Sequence, residues 1–356
     1  MGARTDSQKR TPGTFARLVV AAASETIQLL IDAETGSVRL RNPIAYSGGG
    51  PLADYDLYLQ DANGENIMNT QCFNPSVADS YVGDESGVIP EYLNDTEATN
   101  LWWHWRNTYL FFKNVFGRDS YDGDGEEIES YIRSGPGAPT VPGGPPGIYG
   151  ARYVATCGFE FMPGWVSFDV AVHEFAHGVI HYSSGLVYQN MSGALNESFA
   201  DVMGAIADPF DWLVAEDRRS GLGAIRSVAD PSGTHCGLPS NPQSCGDPDR
   251  LSDYCLTQAQ CGFFTDNGGV HSNSGIPNKA HYLMAEGGTH YGVPVEGMGV
   301  YKMAQLAYHV FLTLPQNATF LDARLFGQTY ALSWAASGTF GFTLDDVCTV
   351  TNAWGA

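Results

Sequence analysis

The chain has 356 residues, 43% of them hydrophobic, enough to bury one large core or two adjoining ones. Its formal net charge of -21, from 39 acidic and 18 basic residues, argues against nucleic acid or an anionic membrane as partner, because neutralising phosphates takes clustered Lys and Arg. No stretch approaches the roughly 20 apolar residues that span a bilayer, and the apolar run from Leu18 to Ala23 is too short for a signal-peptide core.

In chain order, residues 1–14 read as a polar, mobile segment. Thr26 to Arg41 alternates around the turn Asp32-Ala33-Glu34-Thr35-Gly36 and predicts a hairpin, and Tyr55 to Leu59 repeats the strand pattern. Trp102 to Phe116 is an aromatic run of helical length that stops at Gly117, and Gly135 to Gly147 is an irregular Pro/Gly loop. Arg152 to Phe161 returns to strand character. Helices are then predicted over 168–182, 194–207, 277–286, 298–314, 321–336 and 344–353. The expected organisation is a sheet-rich lobe over 15–182, closed by its last helix, and a mainly helical lobe over 183–356, hence an α+β fold.

Of seven cysteines, Cys236, Cys245, Cys255 and Cys261 crowd into one Pro/Gly-rich stretch. Cys236 with Cys245 and Cys255 with Cys261 are the expected disulfide pairs. A second zinc cluster would want a C-x2-C spacing that is missing.

The chemistry is carried by His173-Glu174-Phe175-Ala176-His177 and, further on, Glu197. Two histidines four apart share one face of a helix, so both imidazoles can hold one metal ion while Glu174 stays available for proton transfer. With Glu197 arriving from the next helix, three protein ligands leave a fourth zinc position for water, whose pKa zinc lowers to about 7. Glu174 is the expected base that activates this zinc-bound water and later protonates the leaving amine. A buried helix that happens to contain two histidines is the bland alternative. His181, His281, His290 and His309 lack any such context and read as structural or surface residues.

The run from His173 through Gly178-Val179, then Gly185-Leu186-Val187-Tyr188-Gln189-Asn190, Gly193-Ala194-Leu195-Asn196-Glu197-Ser198 and Gly268-Gly269-Val270-His271-Ser272-Asn273-Ser274-Gly275, resembles the thermolysin family of zinc endopeptidases. Lys113 to Asp122 is similar to that family's helix and turn ahead of the active-site sheet. The resemblance implies a two-lobed fold with a central zinc helix and a zinc-dependent neutral endopeptidase cleaving extended peptides before hydrophobic residues. It implies that His173, His177 and Glu197 bind zinc, that Tyr188 and His271 donate to the oxyanion, that Asp266 orients His271, and that Asp201 fixes a zinc-bound histidine.

The family's edge strand, which pairs with substrate backbone, falls on Ala151 to Gly158, and Arg226 matches a substrate-carbonyl arginine. The family's Asn before that strand is Gly150 here. Calcium is a further expectation at Asp169, Asp208, Asp211 and Glu216, with a solvated acidic face as the alternative, whereas Asp122-Gly123-Asp124-Gly125 reads as a plain turn. The expected protein is a secreted monomer acting on peptides or proteins. A catalytically silent zinc protein with the same groove, and a structural zinc protein, remain the competing readings.

Overall fold

The first strands, β1 (Phe15–Ala22), β2 (Glu25–Asp32) and β3 (Val38–Arg41), form an antiparallel sheet in that order. β2 and β3 make the predicted hairpin, while β1 falls on the apolar run around Leu18, where the sequence suggested no element. The structure, a computed structural model, describes the backbone of these strands and residues 55–62, 81–134, 150–208, 211–217, 223–233, 246–255 and 266–356. The segment 1–14, the loop expected over 135–147, and Cys236, Cys245 and Cys261 lie outside the described residues. Cys157 and Cys255 are each disulfide-bonded, and Cys348 is free and exposed.

A second sheet contains β4 (Leu57–Asp61), β5 (Tyr81–Asp84), β6 (Gly87–Val88), β7 (Ile128–Ile132), β8 (Ala151–Val154) and β9 (Gly158–Phe161) in the order β6-β5-β4-β7-β9-β8. The single strand expected over Arg152 to Phe161 is therefore a hairpin. Cys157 donates its N–H to the Val154 carbonyl at 2.9 Å, and Gly158 takes φ +79°, where an added Cβ would meet the Glu129 carbonyl oxygen at 2.1 Å. This turn makes β8 the edge of the sheet, with all four of its residues partly exposed.

α1 (Thr96–Phe116) starts six residues before the predicted Trp102. Its first turn is polar and lacks apolar periodicity, but Asp95 caps it by accepting from Glu97 N and Ala98 N. Gly117, left-handed at φ 71°, ends it. Trp105 carries the buried face of α1 onto the sheet, 4.7 Å from Phe159 and 5.7 Å from Phe161 between ring centroids.

α2 (Phe168–His181) begins at Ser167, whose hydroxyl donates to Asp169 in the first turn at 2.6 Å. Apart from His177 and His181 every residue of this helix is buried, because α1 and the sheet cover one side and α3 (Asn190–Ala207) the other. Phe175 packs among Trp105, Phe112, Tyr121 and Phe159. A fully buried phenylalanine contributes roughly 2 to 3 kcal/mol.

Beyond α3 come the short pair β10 (Leu213–Val214) and β11 (Arg226–Ser227), then α4 (Val270–Asn273) and α5 (Gly275–Glu286). A small hairpin of β12 (Gly288–His290) and β13 (Val293–Val295) leads to α6 (Val300–Thr313), α7 (Phe320–Ser337) and α8 (Leu344–Ala353). The predicted apolar stripe of α6 is buried at Met303, Ala307, Val310 and Phe311, and Phe311 meets Phe199 of α3 at 5.1 Å. Capping boxes start α7 (Thr319 with Asp322) and α8 (Thr343 with Asp346), and Lys302 reaches Asp346 at 2.8 Å to join α6 to α8. The fold is thus α+β, with a sheet-containing N-terminal region and a helical C-terminal region.

Candidate active site

One helical turn separates His173 from His177 on α2, and their Nε2 atoms face each other at 3.1 Å. Glu197, wholly buried on α3, brings Oε2 to 3.6 Å from His173 Nε2 and Oε1 to 3.5 Å from His177 Nε2. The far side of each ring is already engaged. His177 Nδ1 donates to Asn196 Oδ1 at 2.8 Å, and His173 Nδ1 lies 3.1 Å from Asp201 Oδ1.

The Asn196 acceptor at His177 Nδ1 and the Asp201 carboxylate 3.1 Å from His173 Nδ1 favour the tautomer that keeps the proton there and leaves a lone pair on Nε2. Two nitrogen lone pairs and a carboxylate then converge on one point, and a cation is the group that satisfies all three. Nitrogen and carboxylate donors suit zinc. The predicted ligand set is therefore brought together, and its three ligand atoms lie within 4.8 Å of one another.

Burial alone would raise the Glu197 carboxyl, but the charges of His271, His177, His173 and Arg226 outweigh it and hold the pKa at about 2. Asp201 is also pushed against burial, well below the usual carboxylate range, by the Arg226 guanidinium and His173. Arg226 donates to both Asp201 oxygens, at 2.8 and 2.7 Å, and lies 3.5 Å from Glu197 Oε2. Asn278 adds a donor to Asp201 at 2.9 Å. Of the two histidines, burial lowers His177, whereas His173 is raised because Asp201, Glu197 and Glu174 overcome its burial.

On the opposite side of the site, Tyr188 donates its hydroxyl to Glu197 Oε1 and lies 3.2 Å from His271 Nε2. His271 Nδ1 is 2.6 Å from Asp266 Oδ1, and the backbone N–H of His271 donates to Asp266 Oδ2 at 3.0 Å. Partial desolvation opposes the charge of His271, whose side chain is 47% exposed, yet Glu197 and Asp266 raise it to about 9. Gly193 allows α3 to come this close to α4, since a Cβ there would meet Val270 Cγ1 at 2.4 Å. Glu174 is buried on α2 between the two histidines, and Ala151 opens the edge strand β8.

The acidic positions divide. Asp208 and Glu216 come together with Asp217, which the sequence reading omitted in favour of Asp211. Asp211 accepts from Leu213 N at 2.9 Å, and buried Asp169 accepts from Ser167 and from the backbone of Ala215. Burial and neighbouring carboxylates raise Asp208 to about 6 and Glu216 to about 8, and Glu216 Oε2 is buried without a hydrogen-bond partner. Asp122 accepts from Asp124 N and Glu126 N, both at 3.0 Å, as a plain turn does.

His281 and His309 use Nδ1 on carbonyls one turn back, at Pro277 and Gln305, as structural residues do. Asn196 and Asn278 are the orienting groups that sequence reasoning missed. Adjacency of Asn196 to Glu197 was the one available signal.

Comparison with known proteins agrees with this architecture. The family model for the thermolysin metallopeptidase catalytic domain matches residues 32–181, and that for the thermolysin metallopeptidase alpha-helical domain matches 184–356. The chain is 37% identical to bacillolysin of Brevibacillus brevis over 296 residues, 78% of this chain and 52% of that protein. It is 37% identical to thermolysin of Alicyclobacillus acidocaldarius over 315 residues, 84% of this chain and 52% of that protein. It therefore spans about half the length of these curated relatives. Among solved structures, the precursor of protealysin, a metalloproteinase from Serratia proteamaculans, superposes with a TM-score of 0.65 at 25% identity, over 88% of this chain and 89% of that one. The chain belongs to the thermolysin family of metallopeptidases, a zinc-dependent class, and the similarity reaches well ahead of Lys113, where the motifs that resemble the family begin.

Proposed function

We propose that this protein is a zinc-dependent neutral endopeptidase in which His173, His177 and Glu197 hold the metal. The observation that carries the reading is the convergence of two Nε2 lone pairs and the Glu197 carboxylate, each backed by an orienting partner. Bound zinc would supply a Lewis acid that polarises the scissile carbonyl and acidifies water.

The chain's own residues account for the remainder. Glu174 takes the proton of the attacking water and returns it to the leaving amine. His271, held by Asp266 at 2.6 Å, and Tyr188 donate hydrogen bonds to the oxygen that becomes negative as the carbonyl carbon turns tetrahedral. Pre-placed donors of this kind contribute most where water is excluded. An extended peptide adds to the free edge of β8 from Ala151 onward through main-chain hydrogen bonds, which demand little of its sequence. Arg226, held by Asp201, serves as a donor to a substrate carbonyl. Cleavage before hydrophobic residues is the preference this reading assigns.

A cation, calcium by its oxygen ligands, is assigned to Asp208, Glu216 and Asp217, supported by the unpartnered Glu216 oxygen. Disulfide bonds at Cys157 and Cys255 support an exported protein, and no described helix is long and apolar enough to cross a membrane. We assign it as a monomer. Turnover of a quenched peptide, abolished by a chelator and restored by added zinc, tests the reading. Chelator-resistant turnover contradicts it.

A further inference from the structure

Gly150, immediately before the edge strand, has no room for a side chain. A Cβ built there would lie 1.8 Å from Trp165 Cε3, 2.2 Å from Cζ3 and 2.3 Å from Cδ2, so the indole occupies the volume a residue at this position would fill. The segment carrying Trp165 is pinned. Met162 N–H donates to the Gly150 carbonyl at 2.9 Å, Trp165 N–H donates to the Met162 carbonyl at 3.1 Å, and Gly164 N–H donates to the Glu97 carboxylate at 2.7 Å.

The placement is directional. β8 runs beside α2, and Tyr153 near the end of β8 meets His181 near the end of α2, with ring centroids 5.9 Å apart. Gly150 and Trp165 therefore lie at the opposite end, where Ser167 starts the zinc helix. The indole is partly exposed and packs against Gly150, the residue immediately before β8.

We infer that Trp165 is a specificity-determining residue: its indole, seated where a side chain at position 150 would stand, walls the substrate subsite at the head of β8 and selects a large apolar side chain there. The inference rests on the endopeptidase reading. An aromatic face offers contact area and no hydrogen bond to match a polar side chain, so discrimination follows from packing. Any side chain at 150, asparagine included, has to displace the indole and with it the wall.

The test is cleavage-site mapping on a mixed peptide library with wild type, Trp165→Ala, Trp165→Phe and Gly150→Asn, with thermal unfolding measured for each. Trp165→Ala and Gly150→Asn should lose about tenfold of the preference for large apolar residues at one subsite, while Trp165→Phe keeps it. Peptides with a small residue at that subsite should be cleaved within about twofold of the wild-type rate. Unchanged preference in Gly150→Asn and Trp165→Ala overturns the inference, as does an equal loss on every peptide, which marks a purely structural tryptophan. Should Trp165→Ala fail to fold, the Gly150→Asn and Trp165→Phe pair still decides. A wild type that cleaves nothing in the library overturns the endopeptidase reading itself, whereas intact cleavage with unmoved selectivity overturns this inference alone.

Discussion

Asp201 lies between His173 and Arg226: its Oδ1 is 3.1 Å from the imidazole Nδ1 and accepts from the guanidinium at 2.7 Å, while its Oδ2 takes a second guanidinium bond. One carboxylate thus contacts a proposed zinc ligand and neutralises the buried arginine beside the site. Asp201→Asn should weaken zinc binding by about 10- to 100-fold. It should also destabilise the fold by on the order of 3 kcal/mol, because Arg226 keeps its charge and loses its partner. Zinc titration and denaturant unfolding measure the two effects, and an unchanged zinc affinity would show that the carboxylate does not act through His173.

Asp266 and His271, joined at 2.6 Å, form the proposed oxyanion side. His271→Ala should lower kcat by about 10²- to 10³-fold with zinc content intact. Asp266→Asn should give a smaller fall, since the imidazole remains but its orientation and charge are less well held. A His271→Ala protein with wild-type kcat would remove His271 from the chemistry.

Asp208 and Glu216 set a pH dependence whose sign follows from their raised pKa values, about 6 and about 8. A carboxyl raised above its unfolded value contributes stability that is present below the unfolded pKa and is lost as pH rises through the folded one. Without a divalent cation, stability should therefore decline between about pH 4 and pH 8. After discounting for solvent screening, the loss is on the order of 2 kcal/mol. Added calcium should restore it, raising the melting temperature more at pH 8 than at pH 5. An equal calcium effect at both pH values would speak against these carboxylates as its ligands.

Phe175 ties the zinc helix to the sheet, with ring centroids 4.7 Å from Phe112 and 6.3 Å from Phe159. Phe175→Ala should cost about 3 to 5 kcal/mol in denaturant unfolding through the cavity it leaves. A cost under 1 kcal/mol would mean that the neighbouring rings collapse into the space.

The helices were legible because their signals are local. α2 carries its apolar positions at helical spacing, and α8 was predicted over the residues it occupies, Leu344–Ala353. What escaped was set by contacts distant in sequence. Strand-like residues run on both sides of Cys157, so the turn there emerges only when Gly158 is pressed against Glu129 of β7. His173, His177 and Glu197 were legible from their spacing as a candidate metal set, but the use of Asn196 by His177 depends on how α2 and α3 face each other. That Asp217 stands beside Asp208 and Glu216 depends on the path of a loop. The pairing of Arg226 with Asp201 joins residues 25 apart.

In the proposed mechanism Glu174 moves the proton while His173, His177 and Glu197 hold zinc. Glu174→Gln, nearly isosteric, separates these roles when zinc content and peptide turnover are measured on the same preparation. One zinc per chain is expected, as in the wild type, with turnover reduced by about a thousandfold or more. A Glu174→Gln protein that keeps its zinc and still cleaves at the wild-type rate would contradict it.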